Sequence, residues 1–412
     1  MLNDEVIDKV VERLVDRIEQ ANTYILKEIG ESINEIGTIN PTKARQLVQM
    51  LKYGGNYDKI VKELARITNM NVKDIQDIFE EVAKNDYRFA KQFYDYRNKP
   101  YIPYEKNTVL KNQVEALANI TAQEYINLTN TTALGFGMQD KYGNVVFKGI
   151  KDAYYDVLDE AVLSVSQGKE TFNSAMYRQM KQLGQSGLKV IYPTTYMDKN
   201  GNIKHYTRRL DSAMRMNMNT ALNNLHNEMQ KQIAEEIEAD GVEISAHEAP
   251  APDHQEAQGR QFRNEEYEKL QTEGSAKTYD NIKIDMHIGK HFRPIREWNC
   301  KHYEFAIVLG VNKPQYSNER LQEIINDNNK GFDYEGKHYT MYEGTQLQRS
   351  IETAIRREKD TQIGAKASGL DDLVQDSQKN IRMLNKKYKE LNDISGLRPQ
   401  IERLKVEGYK RV

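Results

Sequence analysis

The sequence predicts a mostly α protein with a smaller α+β domain, in which helical N-terminal and C-terminal regions surround a compact domain carrying histidines and the cysteine. Three observations predict it. Apolar residues recur at helical spacing through the first hundred residues and again after Glu343. Prolines at 250, 252, 294 and 314, with six glycines between 259 and 336, interrupt that spacing. The interrupted stretch also holds most of the eight histidines, the single cysteine and the single tryptophan.

In chain order, the first helix is expected from Asn3 or Asp4. Ile7, Val10, Val11, Leu14, Ile18, Ala21, Ile25 and Ile29 keep one face at three- and four-residue spacing. Asn40-Pro41 is an N-cap and first-turn pair for "PTKARQLVQMLKYGG", which stops at Gly54-Gly55. "YDKIVKELARITNM" and "NVKDIQDIFEEVAKNDYRFAKQFYDYR" follow, so residues 1–97 form a helical N-terminal region with short connections. A helix–turn–helix DNA module has this outline, but the segment is not basic. "NKPYIPYEKN" (98–107), with two prolines, reads as a linker.

Residues 108–241 read as a helical domain with a β-hairpin near 189–206. A helix spans roughly 108–130, and "DKYGNVVFKG" is a hairpin or tight turn. Helices over 150–168 and 171–187 each close on glycine. Two β-rich runs flank Asn200-Gly201, a strong hairpin signal. A long helix over 210–241 ends on a glycine stop. Residues 242–342 are the compact α+β domain, and 343–412 a helical, basic C-terminal region. From Lys379 to Arg411 there are ten Lys or Arg against four Asp or Glu. Such a tail suits DNA or an acidic surface, or is simply a solvated helix face.

Composition narrows the function. The chain is 29% charged, yet its net charge is −2, so global charge selects neither nucleic acid nor membrane. One cysteine rules out an intramolecular disulfide and suits a reducing compartment. The N-terminus lacks the basic and apolar regions of a signal peptide, and no 18-residue apolar window exists, so no membrane association is expected. Tyrosine is abundant at 25, which suits large, partly wet contact surfaces.

The chemistry concentrates in "SAHEAPAPDHQEAQGRQF" (245–262) and "NCKH" (299–302). A Cys-x-His pair in extended chain places both side chains on one face. With His247 and His254, Cys300 and His302 make a candidate Cys-His₃ tetrahedral metal site, zinc being the ion such donors favour. Its role would be structural, as a staple for a small irregular domain. The alternative has the histidines in loop hydrogen bonds and Cys300 as a small hydrophobe. His287 and His291 are rival ligands. No phosphate-binding loop, dinucleotide fingerprint or nucleophile elbow is present. Adjacent strand positions do not usually bring an imidazole onto a thiol, so a Cys300/His302 nucleophile is not expected, and the reading is non-enzymatic.

These residues resemble those of the tailed-phage minor capsid protein 2 family. The histidine block is similar to that family's "HEGARPxHAxWQGKVF"-like run, "NCKH" to its "NCRH"-like motif, and "YEGTQLQRSIETAIRREK" (342–359) to its "YEATQxQRxxExxIRxxK"-like stretch. "RRLDSAMRMNMNTALNN" resembles the helix preceding them. The resemblance covers roughly 205–410. Ala251 and Ala257 stand where the pattern has arginine and tryptophan, whereas the histidines, Gln258, Gly259, Cys300 and His302 are kept. The family is distantly similar to Mu-type head-morphogenesis proteins. It implies a virion protein of the head interior or portal vertex, made in the host bacterial cytoplasm, with the portal protein, other capsid proteins and packaged DNA as partners. Its role would lie in head assembly, DNA packaging or ejection. Two alternatives stay open from the residues: a metal-dependent nuclease or toxin-like enzyme packaged with the genome, and a DNA-binding protein acting through the basic tail.

Overall fold

The computed structural model describes residues 4–53, 56–140, 142–198, 201, 203–279, 284–295 and 300–409. They form a mostly α fold with small antiparallel sheets. Helix α1 (Asp4–Gly37) buries Val11, Leu14, Ile18, Ala21, Ile25 and Ile29, and extends the stripe through Ile33 and Ile36. Helix α2 (Pro41–Tyr53) begins as the sequence predicts, with the Lys43 amide donating to Asn40 Oδ1 at 3.0 Å. Its expected stop at Gly54-Gly55 lies outside the described residues.

Helix α3 (Asn56–Tyr96) is continuous where the sequence suggested two segments. Asn71, a helix-breaking cue in "TNMN", faces the core instead. Its Nδ2 donates to the Tyr125 hydroxyl at 2.6 Å and to the Leu14 carbonyl at 3.2 Å, and its Oδ1 accepts from Arg17 at 3.0 Å. Those bonds outweigh its weak helix propensity. Residues 98–107 are packed rather than free: Tyr101 stacks on Tyr87 at 5.2 Å, Tyr104 is buried, and Asn107 caps α4 (Thr108–Leu128). Some tyrosines are core residues, whereas Tyr96, Tyr142 and Tyr206 are exposed. Tyr87, Tyr94, Tyr125 and Tyr154 lie in the core, each hydroxyl with a polar partner.

Strands β1 (Leu134–Gln139) and β2 (Val145–Gly149) form the predicted first hairpin. Helices α5 (Ile150–Val165) and α6 (Lys169–Ser186) follow. The second hairpin, β3 (Lys189–Met197) and β4 (Ile203–Arg209), completes an antiparallel sheet of order β2-β1-β3-β4. Asn200 of its turn is outside the described residues. Helix α7 (Leu210–Glu236) ends before the predicted glycine stop: Glu238 turns the chain at φ 51°, and Gly241 instead opens β5 (Gly241–Ile244).

Strand β5 is central in a sheet of order β6-β5-β9, with β6 Gln261–Arg263 and β9 Glu304–Ile307. Around it lie α8 (Asn264–Glu273), the pair β7 (Ser275–Lys277) and β8 (Asp285–His287), α9 (Asn318–Lys330), and the hairpin β10 (Phe332–Tyr334) and β11 (Lys337–Tyr339). A capping box at Thr340 and Glu343 starts α10 (Met341–Ala367), and α11 (Asp371–Ser395) folds back on it.

The largest apolar core runs through α1–α7 and also takes in Tyr303, Phe305 and Val308 around β9 and Ala365 to Leu373 of the C-terminal hairpin. A second core surrounds β5 with Ile244, Ala257, Phe262, Leu270 and Cys300. A third joins β10 to α10 and α11. Helix α6 meets α10 at Gly184, where a Cβ would lie 2.3 Å from Thr361 Cα. Beside that crossing, buried charges tie α1, α7 and α10 together. Arg209 donates to Asp211 at 3.2 Å and Asp360 at 3.0 Å, Arg215 grips Glu12 through two 2.7 Å bonds, and Arg356 Nε lies 3.1 Å from Asp211. Desolvation holds the Glu19 carboxyl well above its ordinary pKa and lifts Asp360 to about 6.

Candidate metal centre

The histidine loop is closed at its base by extensions of the β5 pairing. The Ile244 amide donates to the Arg260 carbonyl at 3.0 Å, and Ser245 and Tyr303 exchange two 2.8 Å bonds, one through the Ser245 hydroxyl. Gly259 takes φ +70° at the exit, and a Cβ there would lie 2.4 Å from Leu321 Cδ2. The positive φ favours glycine there, whereas Leu321 Cδ2 is the end of a side chain. Between these points a tight turn over 251–259, its His254 amide bonded to the Ala251 carbonyl at 2.9 Å, drives the His254 ring inward to 1% exposure.

Residues 300–303 run extended into β9 and place Cys300 and His302 on the same side. Cys300 Sγ lies 3.5 Å from His302 Nδ1 and 3.8 Å from His254 Nδ1. An imidazole therefore does reach the thiol, against the sequence expectation, and the His302 amide also lies 3.4 Å from Cys300 Sγ. The donors of His254, Cys300 and His302 all fall within 4.8 Å of one another, and all three residues are buried. A tetrahedral zinc with Zn–S about 2.3 Å and Zn–N about 2.0 Å requires S···N separations of roughly 3.5 Å, which this set meets.

The outer partners fix the tautomers. His254 Nε2 faces the Arg293 carbonyl at 2.7 Å, an acceptor, so Nε2 carries the proton and Nδ1 offers its lone pair to the site. His302 Nε2 faces Gln258 Oε1 at 3.2 Å, and that oxygen also accepts from the His247 amide at 3.1 Å, which identifies it as the oxygen. Burial depresses the pKa of both rings, His302 well below its ordinary value with further repulsion from His247 and His254. Both are neutral at pH 7 and ready as ligands. Arg293 is anchored by Asp253 through a 2.7 Å bond, which keeps its carbonyl in place.

His247 is the fourth residue the sequence nominated, and the structure seats it differently. Its ring lies against His302 with centroids 4.5 Å apart, but its Nδ1 bonds the Glu248 carbonyl at 2.8 Å, and it is not among the three clustered donors. The rivals His287 and His291 are exposed, and His287 lies 3.4 Å from Asp285 instead. The trio faces a cavity of about 630 Å³ that His247, Arg293 and Arg349 also line. Sequence reasoning missed Arg293 and the outer role of Gln258. It also missed His226, buried between Asp86 and the Glu304 carbonyl, which ties α3 and α7 to β9. No local spacing signals that contact.

A long-helix body carries a small α+β unit centred on buried histidines and a cysteine. The family model described as phage minor capsid protein 2 matches residues 2–393, and the chain belongs to that family. The match includes the N-terminal hundred residues, which the motif resemblance did not reach. Neither the search of curated proteins nor that of solved structures returned a match. The protein is thus a virion component of a bacteriophage, associated with other capsid proteins. No described helix is long and apolar enough to cross a membrane.

Proposed function

We propose that this minor capsid protein sits on the inner side of the head at the portal vertex, where it acts in head assembly and in DNA packaging or ejection. The observation that carries the reading is the family match across nearly the whole chain, which makes the helical body, as well as the histidine unit, part of the virion function. Long amphipathic helices such as α1 and α3 suit docking against helices of a portal or capsid partner. Cross-linking mass spectrometry on purified particles tests it. A few to a dozen copies cross-linked to the portal protein support the proposal. Absence from mature particles, or cross-links confined to the outer shell, would overturn it.

Within that protein, His254, Cys300 and His302 hold a structural zinc ion, which would clamp the loop 245–260 to β9. The support is the donor geometry and the two fixed tautomers. A second reading rests on one observation: three protein donors facing a cavity leave a fourth position open, as in metal-dependent hydrolases. The Cys300→Ser variant separates them. A structural ion predicts one zinc per chain in the native protein, none in the variant, and a lower Tm. A nuclease predicts a variant that keeps its Tm and loses hydrolysis of DNA. Native protein purified without zinc, and unaffected by chelator, would sink both.

A further inference from the structure

The hairpin of β3 and β4 outruns the sheet that carries it. Strand β1 pairs with β3 only at Lys189 and Val190. From Ile191 to the turn, the two strands run on with no third strand beside them among the described residues. Every residue of 193–197 and 203–208 is exposed. A two-stranded ribbon with both faces in water is marginal by itself. This one nevertheless holds four large apolar side chains in the open. Met197 and Ile203 are paired across the ladder and are 70% and 74% exposed. Tyr196 and Tyr206 hold their rings 4.7 Å apart, which supports the shape of the arm. That contact leaves the Met197–Ile203 tip in water.

The edges of the arm disfavour addition of another strand. Pro193 removes a backbone donor from β3, and Lys204 and Arg208 put charge along β4. What a partner can recognise is therefore the side-chain surface, an apolar tip on a basic stem. The stretch 193–208 carries Lys199, Lys204 and Arg208 against Asp198. Lys204 lies 3.0 Å from Asp198 and stays exposed, so it can serve a second carboxylate as well.

The complement of that surface lies on the same chain. A concave patch of about 570 Å³ beside α8 is walled by Val242, Tyr267, Pro294 and Ile295. Helix α8 brings four glutamates against one lysine, and Glu265, Glu268 and Glu273 are exposed. Lys231, the one cation lining the patch among the described residues, is engaged by Glu228 at 2.6 Å. The patch is thus apolar with an acidic border, opposite in charge to the arm. We propose that the arm of one copy seats its Met197–Ile203 tip in the α8 patch of a second copy, with Lys204 and Arg208 against the α8 glutamates. Arm and patch are different surfaces, so the contact is head-to-tail and adds copies into a ring or a row. A tip of this size buries far less than the roughly 1,600 Å² of a standard interface, so the chain stays mostly monomeric until it is concentrated. The proposal does not depend on where the protein sits in the particle, since association is read on purified protein.

The experiment is sedimentation velocity of the full chain, in which the native mass should rise from one chain toward several over about a hundredfold increase in concentration. Two variants divide the contact. Met197→Asp/Ile203→Asp spoils the arm, and Glu265→Lys/Glu268→Lys reverses the charge beside the patch. All four positions are exposed, so Tm should be unchanged. Each variant alone is expected to stay monomeric. Mixed in equal amounts, they should form a heterodimer that grows no further, because the arm variant still offers its patch and the patch variant still offers its arm. Lys204→Glu, at another exposed position, should weaken native association in the same direction. A native chain that is monomeric at every concentration overturns the proposal. So does an arm variant that associates like the native chain, or a mixture that stays monomeric. A labelled DNA duplex added to the same runs reads the rival occupant: DNA bound by a monomeric native chain and lost in the arm variant would assign the arm to DNA and overturn self-association.

Discussion

At the residue scale, the buried carboxyls decide the protein's response to pH. Four acids, Glu12, Glu19, Asp211 and Asp360, share the interior with Arg209, Arg215 and Arg356. The arginines serve Glu12 and Asp211 most directly, and the acids left over are pushed up in pKa by burial. Asp360 moves from 3.8 to about 6. A carboxyl whose pKa is raised on folding binds its proton more tightly in the native state. Its contribution is therefore full below about pH 4 and lost as pH rises through 6. The Asp360→Asn variant, which cannot titrate, should gain on the native protein by up to roughly 3 kcal/mol between pH 4 and pH 7. Urea unfolding at both pH values measures this. A stability difference that stays constant would show that Asp360 is not the titrating group. The same scale holds the metal test: Cys300 supplies the one sulfur of the trio, and serine cannot replace a thiolate toward zinc.

At the element scale, the closest helix crossing sets a clear prediction. Gly184 of α6 abuts the backbone of Thr361 in α10, and no rotamer change can make room for a methyl. Gly364, one turn further along α10, would meet only the flexible end of Met180 at 2.3 Å. Gly184→Ala should therefore cost about 1–3 kcal/mol or more. Gly364→Ala should stay within about 1 kcal/mol of neutral, because alanine gains helix propensity while Met180 moves aside. Thermal unfolding of the two variants side by side checks it, and equal losses would mean that α6 and α10 do not cross as described. Asn71 makes the same point about elements. A residue that punctuates a helix by its own preference becomes a bridge between α1, α3 and α4 once its amide finds the Tyr125 hydroxyl and the Leu14 carbonyl.

At the scale of the whole molecule, the N-terminal helices and the C-terminal hairpin share one core, so the helical body surrounds the histidine unit with both ends of the chain. The buried ion network links α1, α7 and α10 through side chains. The portal-vertex proposal belongs at this scale as well, since a body with long helical faces can dock against a partner's helices. Copy number and cross-link partners in the particle decide it.

Much of this was written locally. The helical periodicity, the Asn40-Pro41 start and both hairpins follow from spacing, because they depend on residues close in sequence. His254, Cys300 and His302 stood out by residue type rather than by spacing, as side chains with few chemical uses. The motifs likewise carried the family. Tertiary structure alone decided the rest. It set the His247 ring against His302, outside the cluster of three donors. It made α3 one helix and brought Arg293 to orient His254. Those outcomes depend on which atoms meet after packing, and a one-dimensional pattern does not encode distances between segments that lie tens of residues apart.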